Sequence, residues 1–162
     1  MSELIFFKKF TNEVERVLHS PGNIPGKMFE MSIVIDESLS KETVENVVPK
    51  LLQKLKRHSD VFVNVRLNMV SWNKTSINNR ILPMAMAMIS TTYTGYEQRK
   101  EDKDYNELMK NLRLFHARSK LIILVTDGEY SISSKEELEA LMKPFLQRKL
   151  IRVLVQDGKI LQ

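Results

Sequence analysis

An open, mostly parallel α/β sheet, covered by helices in three α/β/α layers, is the fold that this sequence predicts. Two observations carry the expectation. Short, β-branched apolar runs alternate with longer segments whose apolar residues recur every three or four positions. The two cleanest runs, residues 31–35 and 121–125, are nearly or wholly apolar, as strands buried on both faces are. The chain has 162 residues, one domain's length, and 43% of them are hydrophobic against 28% charged. That fills a core and excludes disorder.

Residues 3–19 read as a helix, with Phe6, Phe7, Phe10, Val14, Val17 and Leu18 on one stripe that has to be buried somewhere. Ser20-Pro21-Gly22-Asn23-Ile24-Pro25-Gly26 is a cluster of turn formers. It divides a single domain into an extra N-terminal helix (1–20), a linker (21–27) and a core (28–155). Residues 31–35 read as a strand. Residues 41–56 read as a helix on the stripe Val44, Val47, Val48, Leu51, Leu52 and Leu55, with Ser40 as its expected cap. Pro49 predicts a kink or an interruption. Residues 61–70 alternate with period two and predict a strand. Residues 77–82 follow as an edge-type strand, 83–89 as a short helix and 97–115 as a polar, charged helix. Residues 121–125 are the clearest buried strand. Ser134-x-x-Glu137 is a capping box that opens a helix over 136–148. Residues 150–155 form the last strand, and Asp157-Gly158 is a turn signal.

Composition excludes several chemistries. With no cysteine there is no disulfide scaffold, thiolate nucleophile or thiolate metal site. The longest clean apolar run is far short of the ~20 residues of a membrane helix. Lysines after the first apolar residues, and no small-residue cleavage pattern, predict no signal peptide and a cytoplasmic location. The net charge is +5 and the pI about 9.4, which keeps a nucleic-acid partner in view. The positive charge is dispersed, however. Its densest stretch, from Arg99 to Lys120, is diluted by Glu101, Asp102, Asp104 and Glu107 and reads as a solvated helix face. No Walker-type, dinucleotide-binding or nucleophile-elbow motif is present.

The chemistry lies in the loops. Asp36-Glu37-Ser38-Leu39-Ser40 follows the first buried strand, and Thr126-Asp127-Gly128-Glu129 follows the strand over 121–125. In an open α/β sheet, ligands sit beyond the carboxyl ends of the strands. Alternation brings Asp36, Ser38 and Ser40 toward one point. A third loop, Ser90-Thr91-Thr92-Tyr93-Thr94-Gly95, offers further hydroxyls. An all-oxygen set of this kind suits a hard divalent cation.

In these residues the sequence resembles the von Willebrand factor A domain family. The family's metal ion-dependent adhesion site combines Asp-x-Ser-x-Ser after the first strand, a threonine in a T-x-T-G-like loop, and Asp-Gly after the fourth strand. The resemblance spans about residues 28–155 and implies a Rossmann-like core. It implies that Asp36, Ser38, Ser40, Thr92 and Asp127 hold Mg²⁺, with Mn²⁺ or Ca²⁺ as alternatives. It further implies a non-enzymatic module that binds a protein partner, whose Asp or Glu carboxylate completes the coordination. Ser90-Thr91 replaces the family's two glycines, and the domain is shortened at its C-terminus. The N-terminal helix is expected to fill the slot left on the sheet. The alternatives are a nucleic-acid-associated domain and a Mg²⁺-dependent hydrolase with Glu129 as base; Glu37 is the other acid beside the site. Met84, Met86 and Met88 read as core or partner-facing, and His19, His58 and His116 as surface residues. Trp72 reads as core, or as a contact near the metal face. Tyr93, Tyr96 and Tyr130 read as solvated loop residues or as a rim around the ion.

Overall fold

The computed structural model describes residues 2–18, 28–57, 64–73, 77–85, 96, 98, 103–115, 119–148, 150–156 and 159–160. Four helices and six strands lie within them: α1 (Ser2–Leu18), β1 (Met28–Asp36), α2 (Lys41–Lys56), β2 (Asn64–Trp72), β3 (Ile77–Ala85), α3 (Tyr105–Phe115), β4 (Leu121–Thr126), α4 (Lys135–Arg148), β5 (Leu150–Gln156) and β6 (Lys159–Ile160). The strands form one sheet in the order β3-β2-β1-β4-β5-β6. The four central strands are parallel, and β3 and β6 pair antiparallel at the two edges. The expected α/β class therefore holds.

Alternation along the strands divides the core. Met31, Ile33 and Ile35 of β1 and Leu121, Ile123 and Val125 of β4 cluster with buried residues of α1 and α2. Val34, Ile122 and Leu124 cluster with Trp72 and with Tyr105, Leu108, Met109 and Leu112 of α3 and Leu138 and Leu141 of α4. All six residues of β4 are buried, as its unbroken apolar run requires. Phe6, Phe10, Val14 and Val17 bury the stripe of α1 in the first cluster. Four such side chains contribute on the order of 6–12 kcal/mol before entropy is counted. Among the apolar strands, Ser32, Asn68 and Ser119 form a buried polar group. Ser32 Oγ lies 2.6 Å from Ser119 Oγ and accepts from Asn68 Nδ2 at 3.2 Å.

Some expectations need correction. Helix α2 runs unbroken through Pro49. The ring removes one donor to the Glu45 carbonyl, and Glu45 lies on the exposed side of the helix. The short helix expected from residue 83 gives way to β3, which extends through Pro83 to Ala85. Proline is tolerated there because β3 is an edge strand. Helix α3 starts at Tyr105, eight residues after its expected start at 97. The capping box at Ser134 forms on one side only: Glu137 N–H donates to Ser134 Oγ at 3.2 Å, while the Glu137 carboxylate pairs with Lys110 of α3 at 3.0 Å. The linker 21–27, the start of the strand expected over 61–70, and the turn at Asp157-Gly158 lie outside the described residues. So do His19, His58, His116, Tyr93, Met86, Met88 and the side chain of Met84.

Candidate functional site

The strand order reverses between β1 and β4, whose neighbours on the far sides are β2 and β5. In open α/β sheets the crevice beyond the carboxyl ends at such a reversal is where ligands bind. Asp36 ends β1 there, and Thr126 ends β4 beside it, because Ile35 is in register with Val125. The Asp36 and Asp127 loops are therefore neighbours at one edge of the sheet.

Asp36 is wholly buried, and both carboxylate oxygens are engaged. Oδ1 accepts from Ser38 N–H at 2.9 Å and from the Ser38 hydroxyl at 2.7 Å. Oδ2 accepts from the Thr126 hydroxyl at 2.7 Å, and Thr126 Oγ1 in turn accepts from Gly128 N–H at 3.1 Å. The remaining partner of Oδ1 is a cation, Lys103 Nζ at 2.8 Å, with side-chain exposures of 1% for Lys103 and 0% for Asp36. The same ammonium lies 5.4 Å from the centre of the Trp72 ring, in cation–π range. Trp72 ends β2 in register with Asp36 and is itself 1% exposed.

Local pairing holds Lys103 in place. Ser131 N–H donates to the Lys103 carbonyl at 2.7 Å, and Tyr105 N–H donates to the Ser131 carbonyl at 2.8 Å. The Asp104 carboxylate accepts from Ser133 N–H and Oγ at 2.9 and 2.8 Å, and Asn106 Nδ2 donates to the Ser134 carbonyl at 2.9 Å. The segment before α3 is thus stapled to the loop before α4. Tyr105 and Tyr130 stack with ring centres 4.7 Å apart, and Trp72 packs against both. Trp72, the member of this group that meets the ammonium, is braced by both tyrosines.

Ser40 and Asp127, the other expected site residues that are described, each make local bonds. Ser40 Oγ caps α2, accepting from Thr43 N–H at 3.2 Å and lying 2.7 Å from Thr43 Oγ1. Asp127 Oδ1 accepts from Glu129 N–H at 2.9 Å in a turn that Gly128 completes at φ +84°. Thr92 and the rest of its loop lie outside the described residues. Glu37 is half-buried and accepts from Asn73 Nδ2 at 2.5 Å; Glu129 is exposed. Tyr96 is neither a solvated nor a rim residue. It is buried in the first cluster, and its hydroxyl donates to the Leu39 carbonyl at 2.6 Å, which braces the β1–α2 loop. Tyr130 is half-buried, its hydroxyl accepting from Arg152 at 2.9 Å. Trp72 is core, at 1% exposed, and lies against the Lys103 ammonium.

No protein-family model matches the chain, and no curated protein matches it.

Lys103 and Thr126 are the site residues that the sequence reading missed. Lys103 sits in the stretch read as a solvated face, and for Arg113 and Lys120 exposure bears that reading out. A signal for Lys103 did exist. Asp104-x-x-Glu107 before the stripe Leu108, Met109 and Leu112 is a helix-start pattern. A helix that leads into a parallel strand begins at the sheet's carboxyl edge, so the residue before it arrives beside Asp36.

This arrangement bears on the metal ion that the resemblance implies. Among the described residues no three His, Asp or Glu side chains gather closely enough to hold an ion, so a site would depend on Asp36 together with hydroxyls. Mg²⁺ takes a carboxylate oxygen at about 2.0–2.1 Å. Here Asp36 Oδ1 already faces an ammonium, and Oδ2 faces Thr126. Two unit positive charges about 4 Å apart repel by about 4 kcal/mol at an effective dielectric near 20, and a divalent ion doubles that. With Lys103 seated, the residues do not fit the ion.

Proposed function

We propose that the chain is a non-enzymatic protein-binding module whose contact face is the carboxyl edge of its sheet, as the resemblance to the von Willebrand factor A family implies. One observation carries this reading: the loops of Asp36 and Asp127 flank the reversal of strand order between β1 and β4. The edge is also pre-organised. Tyr96, Gln98 and Trp72 each bond to the backbone of the 36–39 segment, through the carbonyl of Leu39, the carbonyl of Ser38 and Glu37 N–H. A rigid loop loses little entropy when a partner binds. Asp36 is committed to Lys103, so the contact face works through its loops and not through a metal ion.

Site-specific photocrosslinking in cells tests it. A benzophenone amino acid replaces exposed Glu129 at the carboxyl edge or, as a control, exposed Lys120 at the opposite end of β4. A discrete covalent adduct with another protein is expected at position 129 and not at 120. Equal adducts at both positions, or adducts at 120 alone, overturn the contact face.

A further inference from the structure

We infer that the Lys103 ammonium is the resident cation of this site and takes the place that the resemblance gives to a divalent ion. Three features support the assignment. The ammonium makes a 2.8 Å ion pair with a carboxylate that is itself wholly buried. It also lies 5.4 Å from the centre of the buried Trp72 ring, so carboxylate and indole both meet one charge. Finally, the Lys103 carbonyl, the Asp104 carboxylate and Tyr105 N–H are tied to Ser131 and Ser133 by hydrogen bonds that do not involve the lysine side chain, so the lysine is delivered to Asp36 by the fold.

Strand alternation explains why a lysine reaches this carboxylate. Asp36, Trp72 and Thr126 continue the face of Val34, Val70 and Leu124, which packs on α3 and α4. The residue ahead of α3 enters on that face. Ser40 instead opens α2, whose buried stripe belongs to the other cluster. The aspartate of the motif is thus turned toward the lysine, while the second serine is occupied at a helix start. A tethered cation holds the β1–α2 loop without any dependence on metal concentration. For the contact face, this part rests on the proposed function, and it means that partner capture does not require an ion.

The test is calorimetric titration with Mg²⁺ and with Mn²⁺, paired with thermal unfolding, on wild type, Lys103→Met, Asp36→Asn and the double variant. Wild type is expected to show no binding heat and the same melting temperature with millimolar Mg²⁺ or with chelator. Lys103→Met strands a buried carboxylate and is expected to lower the melting temperature by about 10 °C. Part of that loss should return in the double variant, which buries neither charge. Stoichiometric Mg²⁺ binding to wild type that disappears in Asp36→Asn overturns the inference. So does a double variant whose destabilisation is the sum of the two single ones, since the charges are then uncoupled. Chelator added to the crosslinking experiment separates the two proposals. An adduct at position 129 that survives chelation supports both, and one that chelation abolishes upholds the contact face and overturns the resident lysine.

Discussion

Tyr105 lies between the core and the site, stacked on Tyr130 and edge-on to Trp72. Burial pushes its phenol up to about 12, the neighbouring Tyr130 adds to the shift, and Arg152 works against it. The sign follows from linkage. The unfolded chain releases this proton near 10, the folded chain near 12, so the stability involved is fully present below pH 10 and is lost as pH rises toward 12. Two units correspond to about 2–3 kcal/mol. Tyr105→Phe is expected to flatten the fall in stability over that window, measured by urea unfolding at several pH values; an unchanged slope contradicts it. At this scale, legibility divided sharply. Asp36 and Ser38 were readable because their contact is local, two residues apart. Lys103 was not, because local charge density treats every lysine in a mixed stretch alike. The helix-start pattern Asp104-x-x-Glu107 is its local signal, and the tertiary partners Asp36 and Trp72 give it its role. Tyr96 was missed for the same reason: its acceptor at Leu39 is 57 residues away.

Helix α2 tests how far tertiary burial overrides intrinsic preference. Seven of its residues are buried, and that anchoring carries the helix without interruption past a proline at which a kink or an interruption is expected. The cost is still present in the missing donor to Glu45. Pro49→Ala restores it and gives up the proline's restriction of the unfolded chain. The balance is expected to stabilise by about 1–2 kcal/mol, seen as a higher melting temperature; a lower one would mean that the ring's packing matters more than the bond. Period alone was a sound guide where one face meets a core, as in α1 and α2. It failed at residues 98, 103 and 104, ahead of α3, and over 83–85. In the first, polar residues can continue a helix on paper, but Asp104 pairs with the loop at Ser131 and its carboxylate with Ser133, and the helix begins after it. In the second, a proline among apolar residues reads as a helix start, whereas an edge strand accepts it equally well.

Across the whole molecule, alternation of strands and helices was enough to give the fold class, because helical crossovers between strands of one sheet produce parallel neighbours. Strand order was not legible, since nothing local states that β1 joins β2 to β4. That order makes β1 and β4 central and leaves β3 and β6 at the edges. Native-state hydrogen exchange is expected to give β1 and β4 amides protection near the global unfolding free energy, with β3 and β6 opening at lower cost. Fast exchange in β4 would contradict this topology.

The hydroxyls and amide shared by Ser32, Asn68 and Ser119 have a consequence for alignment. A run as apolar as residues 31–35 of β1 would, but for Ser32, lose little hydrocarbon contact by sliding two residues along its neighbours. Ser32 makes that slide expensive, since its hydroxyl would face hydrocarbon with nothing to bond, at about 1–3 kcal/mol. A single small polar side chain in the middle of the sheet thus acts as an indexing pin, and everything mounted at the strand's end, Asp36 first, inherits its position from that pin.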